Sequence, residues 1–451
     1  MRALLPALLC AALGLSAVLP AQEPSIAFVG VNVVPMDREV VLAEHTVVIR
    51  GDRIAEMGPS ASITPPAGAT IVDGKGKYLM PGLAEMHAHL MGDNEALNER
   101  ILLLNIAKGI TTIRGMLGHP SHLSLRERVR KGELLGPTIY TSGPSLNGNT
   151  VPDEATARKI VQEQKAAGYD FLKIHPGVPR GPFDALAETA DKIGIRFSGH
   201  VPIEVGLHRA LEARYHSIDH LDGYVEALLK DGAPVDPKDP GFFGLNFVDH
   251  LDESKIPALV AKTKAAGVWN VPTQSLIPAF MGAESTEALA ARPEMKYLPK
   301  QLTDQWVKSR TNFLQGPGNI PAEKRQRFQA VRAKIIKALD DADAGLLLGA
   351  DSPQVMQVPG WATHGELKAL VASGLTPYRA LRAGTINVAR FFGTDSQAGI
   401  VAPGKEASLI LADANPLQDI GNAARISGVL VRGTWMPRAE LEAKLTALGP
   451  I

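Results

Sequence analysis

Cysteine is almost absent from this chain of 451 residues, which contains a single one, Cys10. One cysteine cannot form a disulfide within the chain, so the fold must be held together by its apolar core and by any metal that it binds. Net charge is absent too, because 47 Lys and Arg residues balance 47 Asp and Glu residues. Nothing global therefore attracts the chain to nucleic acid or to an anionic membrane, and we expect neither as a partner.

Long apolar runs are also scarce, and the one present lies at the beginning of the chain. Arg2 precedes an apolar stretch from Leu4 to Leu19, and Pro20-Ala21 follows it. This order is typical of a secretory signal peptide, which we place at residues 1–21. No second stretch of 18 or more apolar residues follows, so we expect no membrane span in the mature form. The sequence predicts an exported protein, periplasmic or secreted, that has no cysteine after cleavage.

Short β-rich runs occupy both ends of the chain. Several lie between Ile26 and Met80, with Gly51-Asp52 as a hairpin loop, and two more lie at 407–412 and 426–432. Such runs separated by turn residues indicate strands. We expect residues 22–81 and 388–451 to build one small β-sandwich domain, into which residues 82–387 are inserted.

The middle of the chain repeats one unit: a helix, a glycine, a short apolar run and then a polar residue. Glycine after a helix is a C-cap, and a short apolar run indicates a buried parallel strand. Eight stretches supply such a strand: Leu83 to His89, Gly109 to Arg114, Thr138 to Ser142, Gly168 to Lys173, Gly194 to His200, Tyr215 to His220, Gly267 to Thr273 and Gly345 to Asp351. The pattern predicts an α/β fold, a (β/α)₈ TIM barrel with its chemistry at the carboxyl ends of the strands.

Two features of this middle region leave alternatives. An open doubly wound sheet also alternates strands and helices, but no Gly-x-Gly-x-x-Gly follows the first strand. Residues 277–337 interrupt the alternation with a long, mostly helical stretch. Insertions of that length in a compact domain are often functional, so we expect a lid over the barrel mouth, with a solvated helical hairpin as the alternative.

The polar residues at the strand ends include candidate metal ligands. They are His87, His89, Lys173, His200, His220 and Asp351. His87 and His89 are two residues apart, a spacing that points both side chains to one face of a strand. Nitrogen and oxygen ligands suit zinc or another borderline divalent ion. Any one of these histidines alone would be interpreted as a core residue, but together they are more than one catalytic metal needs, and two metal ions are the simpler interpretation.

Lys173 does not fit such a site as an ammonium, which has no lone pair and would be repelled by two cations. Reaction with carbon dioxide would convert it into an anionic carbamate that can bridge them. At this point the chain resembles the amidohydrolase superfamily. The matching strings are Pro81-Gly82-Leu83-Ala84-Glu85-Met86-His87-Ala88-His89, Phe171-Leu172-Lys173-Ile174, Ser198-Gly199-His200, Ser217-Ile218-Asp219-His220 and Gly349-Ala350-Asp351-Ser352.

The resemblance implies the barrel, the split sandwich and a binuclear site. By that resemblance His87, His89 and Asp351 hold one divalent ion, and His200 and His220 hold the other. Carboxylated Lys173 and a hydroxide would bridge the two ions. Asp351 would be the catalytic residue that takes the proton of the nucleophile and passes it to the leaving amine.

The resemblance is strongest to imidazolonepropionase-like proteins, the branch that includes Xaa-Pro dipeptidases and ochratoxin-hydrolysing amidases. It implies a small amide or dipeptide substrate, cleaved at the bond to a C-terminal amino acid. Four residues are candidate substrate contacts: Arg114 for the carboxylate, Tyr224 for the scissile carbonyl, and His175 and His364 as lining residues.

Three other functions remain open from the sequence. A lactonase or esterase would use the same binuclear site, and a non-catalytic scaffold would be expected to have lost ligands. Mononuclear deaminases of the superfamily carry a glutamate three residues after the strand-five histidine, whereas Glu204 is four residues after His200. That departure favours amide hydrolysis over deamination. An assembly of identical chains also remains open.

Overall fold

The computed structural model describes residues 25–449. The predicted signal peptide at residues 1–21 lies outside this range, and so does Cys10. Within the range, no helix combines the length and the apolarity that crossing a membrane requires.

The strands are numbered along the chain. They are β1 (Ser25–Val33), β2 (Leu42–Arg50), β3 (Arg53–Pro59), β4 (Thr70–Asp73), β5 (Tyr78–Pro81), β6 (Leu83–Ala88), β7 (Ile110–Gly115), β8 (Thr138–Thr141), β9 (Phe171–Ile174), β10 (Arg196–Gly199), β11 (Ser217–Asp219), β12 (Trp269–Val271), β13 (Leu409–Ala412), β14 (Ile426–Val431) and β15 (Thr434–Pro437).

The α-helices are numbered in the same way. They are α1 (Glu95–Ala107), α2 (Pro120–Arg130), α3 (Glu154–Ala166), α4 (Arg180–Ile193), α5 (Gly206–Glu212), α6 (Tyr224–Ala227), α7 (Ile256–Ala266), α8 (Leu276–Met281), α9 (Thr286–Ala290), α10 (Lys300–Gln315), α11 (Ala322–Asp341), α12 (Trp361–Ala372), α13 (Pro377–Ala383), α14 (Ile386–Phe392) and α15 (Arg438–Ala447). Short 3₁₀-helices cover Phe242–His250, Glu253–Lys255, Pro293–Tyr297 and Ile420–Ala424.

Strands from both ends of the chain share one sheet of eight strands. Its order is β15-β14-β13-β5-β1-β2-β3, with β4 beside β1. Phe28 in β1 and Trp435 in β15 lie with ring centroids 5.0 Å apart. In a flat sheet four strand spacings would separate them by about 19 Å. The sheet therefore folds over on itself and encloses its own apolar core, to which Phe28, Val47 and Leu409 contribute.

The middle of the chain contains parallel strands alternating with helices, which confirms the predicted α/β class. They form two sheets, β6-β7-β8 and β12-β11-β10-β9. Gly143 N donates to Phe171 O and so connects the end of β8 with β9. The stretch predicted as the eighth strand extends between β12 and β6, because Asn270 N donates to Gly345 O and Met86 N donates to Leu348 O. The carboxyl ends of these strands therefore face a common region.

Three predicted boundaries fall inside helices: residue 277 in α8, residue 337 in α11 and residue 388 in α14. Arg332 of α11 donates to His220 O and Pro272 O, so this helix packs on the parallel strands. Residue 388 lies within α14, whose Val388 and Phe391 pack against Ala84 of β6. The inserted helices are therefore α8 to α10, and α14 belongs with the parallel strands.

Candidate functional site

Side chains from three strand ends meet in one buried cluster. His89 Nε2 lies 2.7 Å from Asp351 Oδ1, and His87 Nε2 lies 3.7 Å from the same oxygen. His220 Nδ1 lies 4.0 Å from Asp351 Oδ2. One ligand atom from each of His87, His220 and Asp351 can be chosen so that all three lie within 4.8 Å of one another. Of the six predicted ligands, these four form the inner group.

His200 adjoins this cluster, with its ring centroid 4.6 Å from that of His220. Its Nδ1 donates to Asp222 Oδ2 over 2.6 Å. The Nδ1 of His220 is hydrogen-bonded to Thr273 Oγ1 at 2.9 Å. A partner on one ring nitrogen fixes the orientation of the imidazole and makes the other nitrogen the available metal ligand. Both histidines are therefore oriented to bind through Nε2.

Lys173 lies in the interior beside the cluster, where Asp219 holds it. Its Nζ donates to Asp219 Oδ2 over 3.1 Å, and the same oxygen lies 3.3 Å from His87 Nδ1. Arg114 donates to the other oxygen of Asp219 over 3.0 Å. Burial raises the pKa of Asp219, but the charges of Lys173 and Arg114 outweigh burial and hold this pKa well below its usual range. Asp219 is thus a buried anion between two cations and a histidine.

The ionisation states of the cluster suit a divalent cation. Burial lowers the pKa of His87 to about 4 and that of His220 well below its usual value, so both imidazoles are neutral at pH 7. Burial raises the pKa of Asp351, but its neighbours, His87 first, more than offset this effect and keep the carboxylate ionised. Neutral imidazole and ionised carboxylate are the forms that bind metal. His87 Nδ1 is also buried without a well-aligned hydrogen bond.

The backbone at the strand ends adopts an uncommon conformation. His220, Thr273 and Asp351 have φ values of +61°, +47° and +62°. Residues other than glycine rarely occupy this left-handed region, and where they do they cluster at functional sites. Two members of the cluster and the threonine that orients one of them therefore have strained backbone.

The structure places three of the four predicted substrate contacts in the interior. Arg114 is fully buried and donates to Met86 O, Ser217 Oγ and Asp219, so each nitrogen of its guanidinium is already bonded within the protein. Tyr224 is buried, with its hydroxyl 2.8 Å from Thr263 Oγ1 on α7. His364 is buried on α12, with Nε2 donating to Lys108 O. All three support the interior of the protein.

The fourth candidate, His175, lies beside the cluster. Its ring centroid is 5.4 Å from that of His200, and its Nδ1 lies 2.8 Å from Ser145 Oγ. Burial lowers its pKa, so the ring is neutral. Its position is compatible with the predicted substrate contact.

Sequence reasoning missed the residues that hold the ligands in place. Glu85 accepts hydrogen bonds from His87 N, Ala350 N and Thr363 Oγ1, and so connects β6 to the stretch that carries Asp351. Burial raises the pKa of Glu85 to about 8. The strand alternation that pairs His87 with His89 also puts Glu85 on their face, a signal that could have identified it. Asp219 and Asp222 flank His220 and could have been found by the same inspection.

Comparison with known proteins assigns the chain to a family. The model of the Amidohydrolase family matches residues 78–436. The chain belongs to this family, which confirms the predicted family and the prediction of a hydrolase acting on carbon–nitrogen bonds.

Three curated relatives represent two different reactions. The ochratoxinase of Aspergillus niger is 24% identical over 388 residues, which cover 76% of this chain and 71% of the relative. An adenine deaminase from Ruegeria sp. (strain TM1040) is 30% identical over 178 residues, which cover 36% of this chain and only 29% of the deaminase. The likeness to the ochratoxinase therefore extends over most of both chains. An adenine deaminase from Chelativorans sp. (strain BNC1) is 26% identical over 402 residues, which cover 87% of this chain but only 54% of the deaminase.

Solved structures show the same fold. The crystal structure of the A. niger ochratoxinase has a TM-score of 0.64 at 18% identity, covering 92% of this chain and 96% of its own. A Xaa-Pro dipeptidase crystallised with methionine in its active site has a TM-score of 0.64 at 17% identity, covering 92% of this chain and 100% of its own.

Proposed function

We propose that this protein is a binuclear metal-dependent amidohydrolase that cleaves an amide or peptide bond next to an amino acid. The observation that carries the proposal is the convergence of His87, His89, His220 and Asp351 at the ends of parallel strands, beside His200. Likeness to an ochratoxinase and to a Xaa-Pro dipeptidase over most of the chain supports this substrate class.

The described residues fit two divalent ions, for which zinc is the first choice. His87, His89 and Asp351 would hold one ion, and His200 and His220 would hold the other. Lys173, carboxylated, would contribute a ligand to both; burial lowers its pKa, which favours the neutral amine that reacts with carbon dioxide. Bound divalent ions lower the pKa of water and polarise a carbonyl group.

The protein's own groups then position the substrate and move protons. Asp351, ionised and bonded to His89, takes a proton from the attacking water and delivers it to the departing amine. Asp222 and Thr273 hold His200 and His220 in fixed orientations throughout. Ser145 holds His175 by one nitrogen, which leaves the other for a polar atom of the substrate.

The architecture completes the proposal. We propose that the two parallel sheets and the stretch from Gly345 to Asp351 close into one (β/α)₈ barrel, supported by the hydrogen bonds that connect β8 to β9, β12 to Gly345 and β6 to Leu348. The folded-over sheet would be the small β-sandwich domain. Export through a signal peptide at residues 1–21 stays part of the proposal, as does assembly with further copies.

The test measures metal content and turnover on protein prepared without chelators. We expect close to two ions per chain by mass spectrometry and hydrolysis of dipeptides or N-acyl amino acids. One ion per chain with release of ammonia from adenine would support the second candidate, a mononuclear deaminase, which the likeness to the Ruegeria protein favours. No metal after addition of zinc and bicarbonate would contradict both.

A further inference from the structure

Two adjacent phenylalanines begin the 3₁₀-helix Phe242–His250, and their rings contact different side chains. Phe242 packs against Phe280 of α8 and Phe313 of α10, with centroids 5.1 and 4.9 Å away. Phe243 instead lies 5.1 Å from the ring of His220 and 6.5 Å from that of His200. One ring anchors the inserted helices, and the other faces the proposed metal ligands.

The backbone that aims Phe243 is strained. Phe243 has φ +52° and Gly244 has φ +88°. A Cβ atom on Gly244 would lie 2.6 Å from Val225 Cγ1, so only glycine fits there without a shift. A phenylalanine in the left-handed region costs free energy that the surrounding structure must offset, and such residues are typically found at functional sites.

Neighbouring elements hold this segment in place. Lys324 of α11 forms an ion pair with Asp249 at 2.8 Å, and Arg327 donates to Val248 O over 3.2 Å. Together with the packing of Phe242, these contacts tie both ends of the segment to helices. The ring of Phe243 is therefore positioned by the fold and does not depend on the histidines alone.

The segment offers the site an apolar surface. The guanidinium of Arg332 lies 5.9 Å from the centroid of Phe243, but its nitrogens donate to Gln274 Oε1, His220 O and Pro272 O. Each guanidinium nitrogen of Arg332 is therefore already hydrogen-bonded to the protein. Phe243 itself is only half-buried, so part of its surface is not covered by protein.

We propose that Phe243 is a specificity-determining residue: it forms an apolar wall beside His200 and His220 that selects amides carrying an aromatic group over amides carrying a small one. The inference rests on the proposed amidohydrolase function and narrows its substrate class. An aromatic group that stacks on the ring buries apolar area next to the scissile bond, whereas a methyl group leaves the ring exposed to water.

The variant Phe243→Leu tests whether the Phe243 ring determines specificity. Phe242→Leu is the matched control because it makes the same change one residue away. The substrates are N-acetyl-alanine, N-benzoyl-alanine, N-acetyl-phenylalanine and N-benzoyl-phenylalanine. We expect Phe243→Leu to lower kcat/KM on the order of 10-fold for at least one aromatic substrate, mainly through KM, while N-acetyl-alanine changes little. Phe242→Leu should change all four by one common factor.

An equal loss for all four substrates in Phe243→Leu would overturn the inference, because it would mean that the ring only supports His220. Unchanged kinetics would overturn it as well.

Binding without turnover separates this inference from the proposed function. Calorimetry compares benzoate with acetate, and phenylalanine with alanine, on the metal-loaded protein. We expect the aromatic member of at least one pair to bind on the order of 10-fold more tightly to the natural protein and to Phe242→Leu, and to lose this advantage in Phe243→Leu. If no amide is hydrolysed but this pattern holds, the proposed function is contradicted and the specificity role of Phe243 is supported. If all three proteins bind both members of each pair equally, the specificity role of Phe243 is contradicted.

Discussion

Arg114 shows how a single residue can look like a substrate contact and serve the interior. It is the residue before the last of β7, fully buried, and it shares Asp219 with Lys173. Arg114→Met removes one of the two cationic partners of Asp219 and leaves Lys173 as the other, and losing a buried hydrogen bond to a charged group costs about 1.5–3 kcal/mol. We predict that Arg114→Met lowers the free energy of unfolding by roughly that amount, measured by urea denaturation. A variant that keeps its stability and only raises KM would restore Arg114 as the ligand of a substrate carboxylate.

Lys173 offers the most direct residue-level test of the proposed bridge. Replacement by alanine removes the amine that carbon dioxide would modify and leaves a space beside Asp219. We predict that Lys173→Ala loses metal and turnover together, and that a short carboxylic acid added to the solution restores part of both. The measurement is metal content alongside activity, with and without the acid. Full activity of Lys173→Ala without the acid would rule out the bridge.

The elements of the fold explain why some predictions succeeded and others did not. Strand ends converge by topology, so counting strands was enough to bring His87, His220 and Asp351 together. Which face of a helix points to the site depends on tertiary packing, and for that reason the sequence could not show that Tyr224 and His364 lie in the interior. Phe243 could not be identified at all, because a left-handed backbone in an irregular segment has no pattern in the sequence.

The segment that carries Phe243 can be tested as an element through Gly244. Alanine there would be strained at φ +88° and would also collide with Val225. Gly232→Ala is the matched control, because Gly232 has φ +72° and open space around its Cβ position. We predict that Gly244→Ala destabilises the protein by about 1–3 kcal/mol more than Gly232→Ala and impairs turnover of aromatic amides. Thermal unfolding and kinetics of both variants measure this, and equal effects would mean that the contact with Val225 is easily relieved.

Elements near the carboxyl terminus connect distant parts of the structure described by residues 25–449. After the parallel strands the chain returns to pair β13 with β5, and α15 then packs near α1. Arg100 of α1 donates to Leu448 O, Gly449 O and Tyr297 O, so one side chain joins the carboxyl-terminal helix to the region of the inserted helices. In a chain whose single cysteine cannot form an internal disulfide, such contacts take the place of covalent connections between distant parts.

Stability against pH is a property of the whole molecule, because it sums over buried groups far apart. Burial lowers the pKa of His364 to about 4 and that of His216 to about 3, whereas histidine in an unfolded chain titrates near 6.5. Between these values the unfolded state binds more protons. The free energy of unfolding should therefore fall as the pH drops below about 6.5, by up to about 1.4 kcal/mol per pH unit for each histidine.

Glu85 acts in the opposite direction. Burial raises its pKa to about 8, so the folded state retains a proton that the unfolded state releases near 4.5, and this contribution is lost as the pH rises towards 8. Below pH 6.5 the histidines with lowered pKa values, which also include His122 and His175, outnumber the buried glutamates with raised pKa values, Glu85, Glu226 and Glu366. Above pH 6.5 Glu85 and Glu226 remain, and both lower stability as the pH rises. We predict that stability is greatest near pH 6.5, measured by urea denaturation at pH 5, 6.5 and 8. The double variant His216→Asn/His364→Asn should lose less stability between pH 6.5 and 5 than the natural protein. An unchanged loss would show that other groups control the fall in the free energy of unfolding at acid pH.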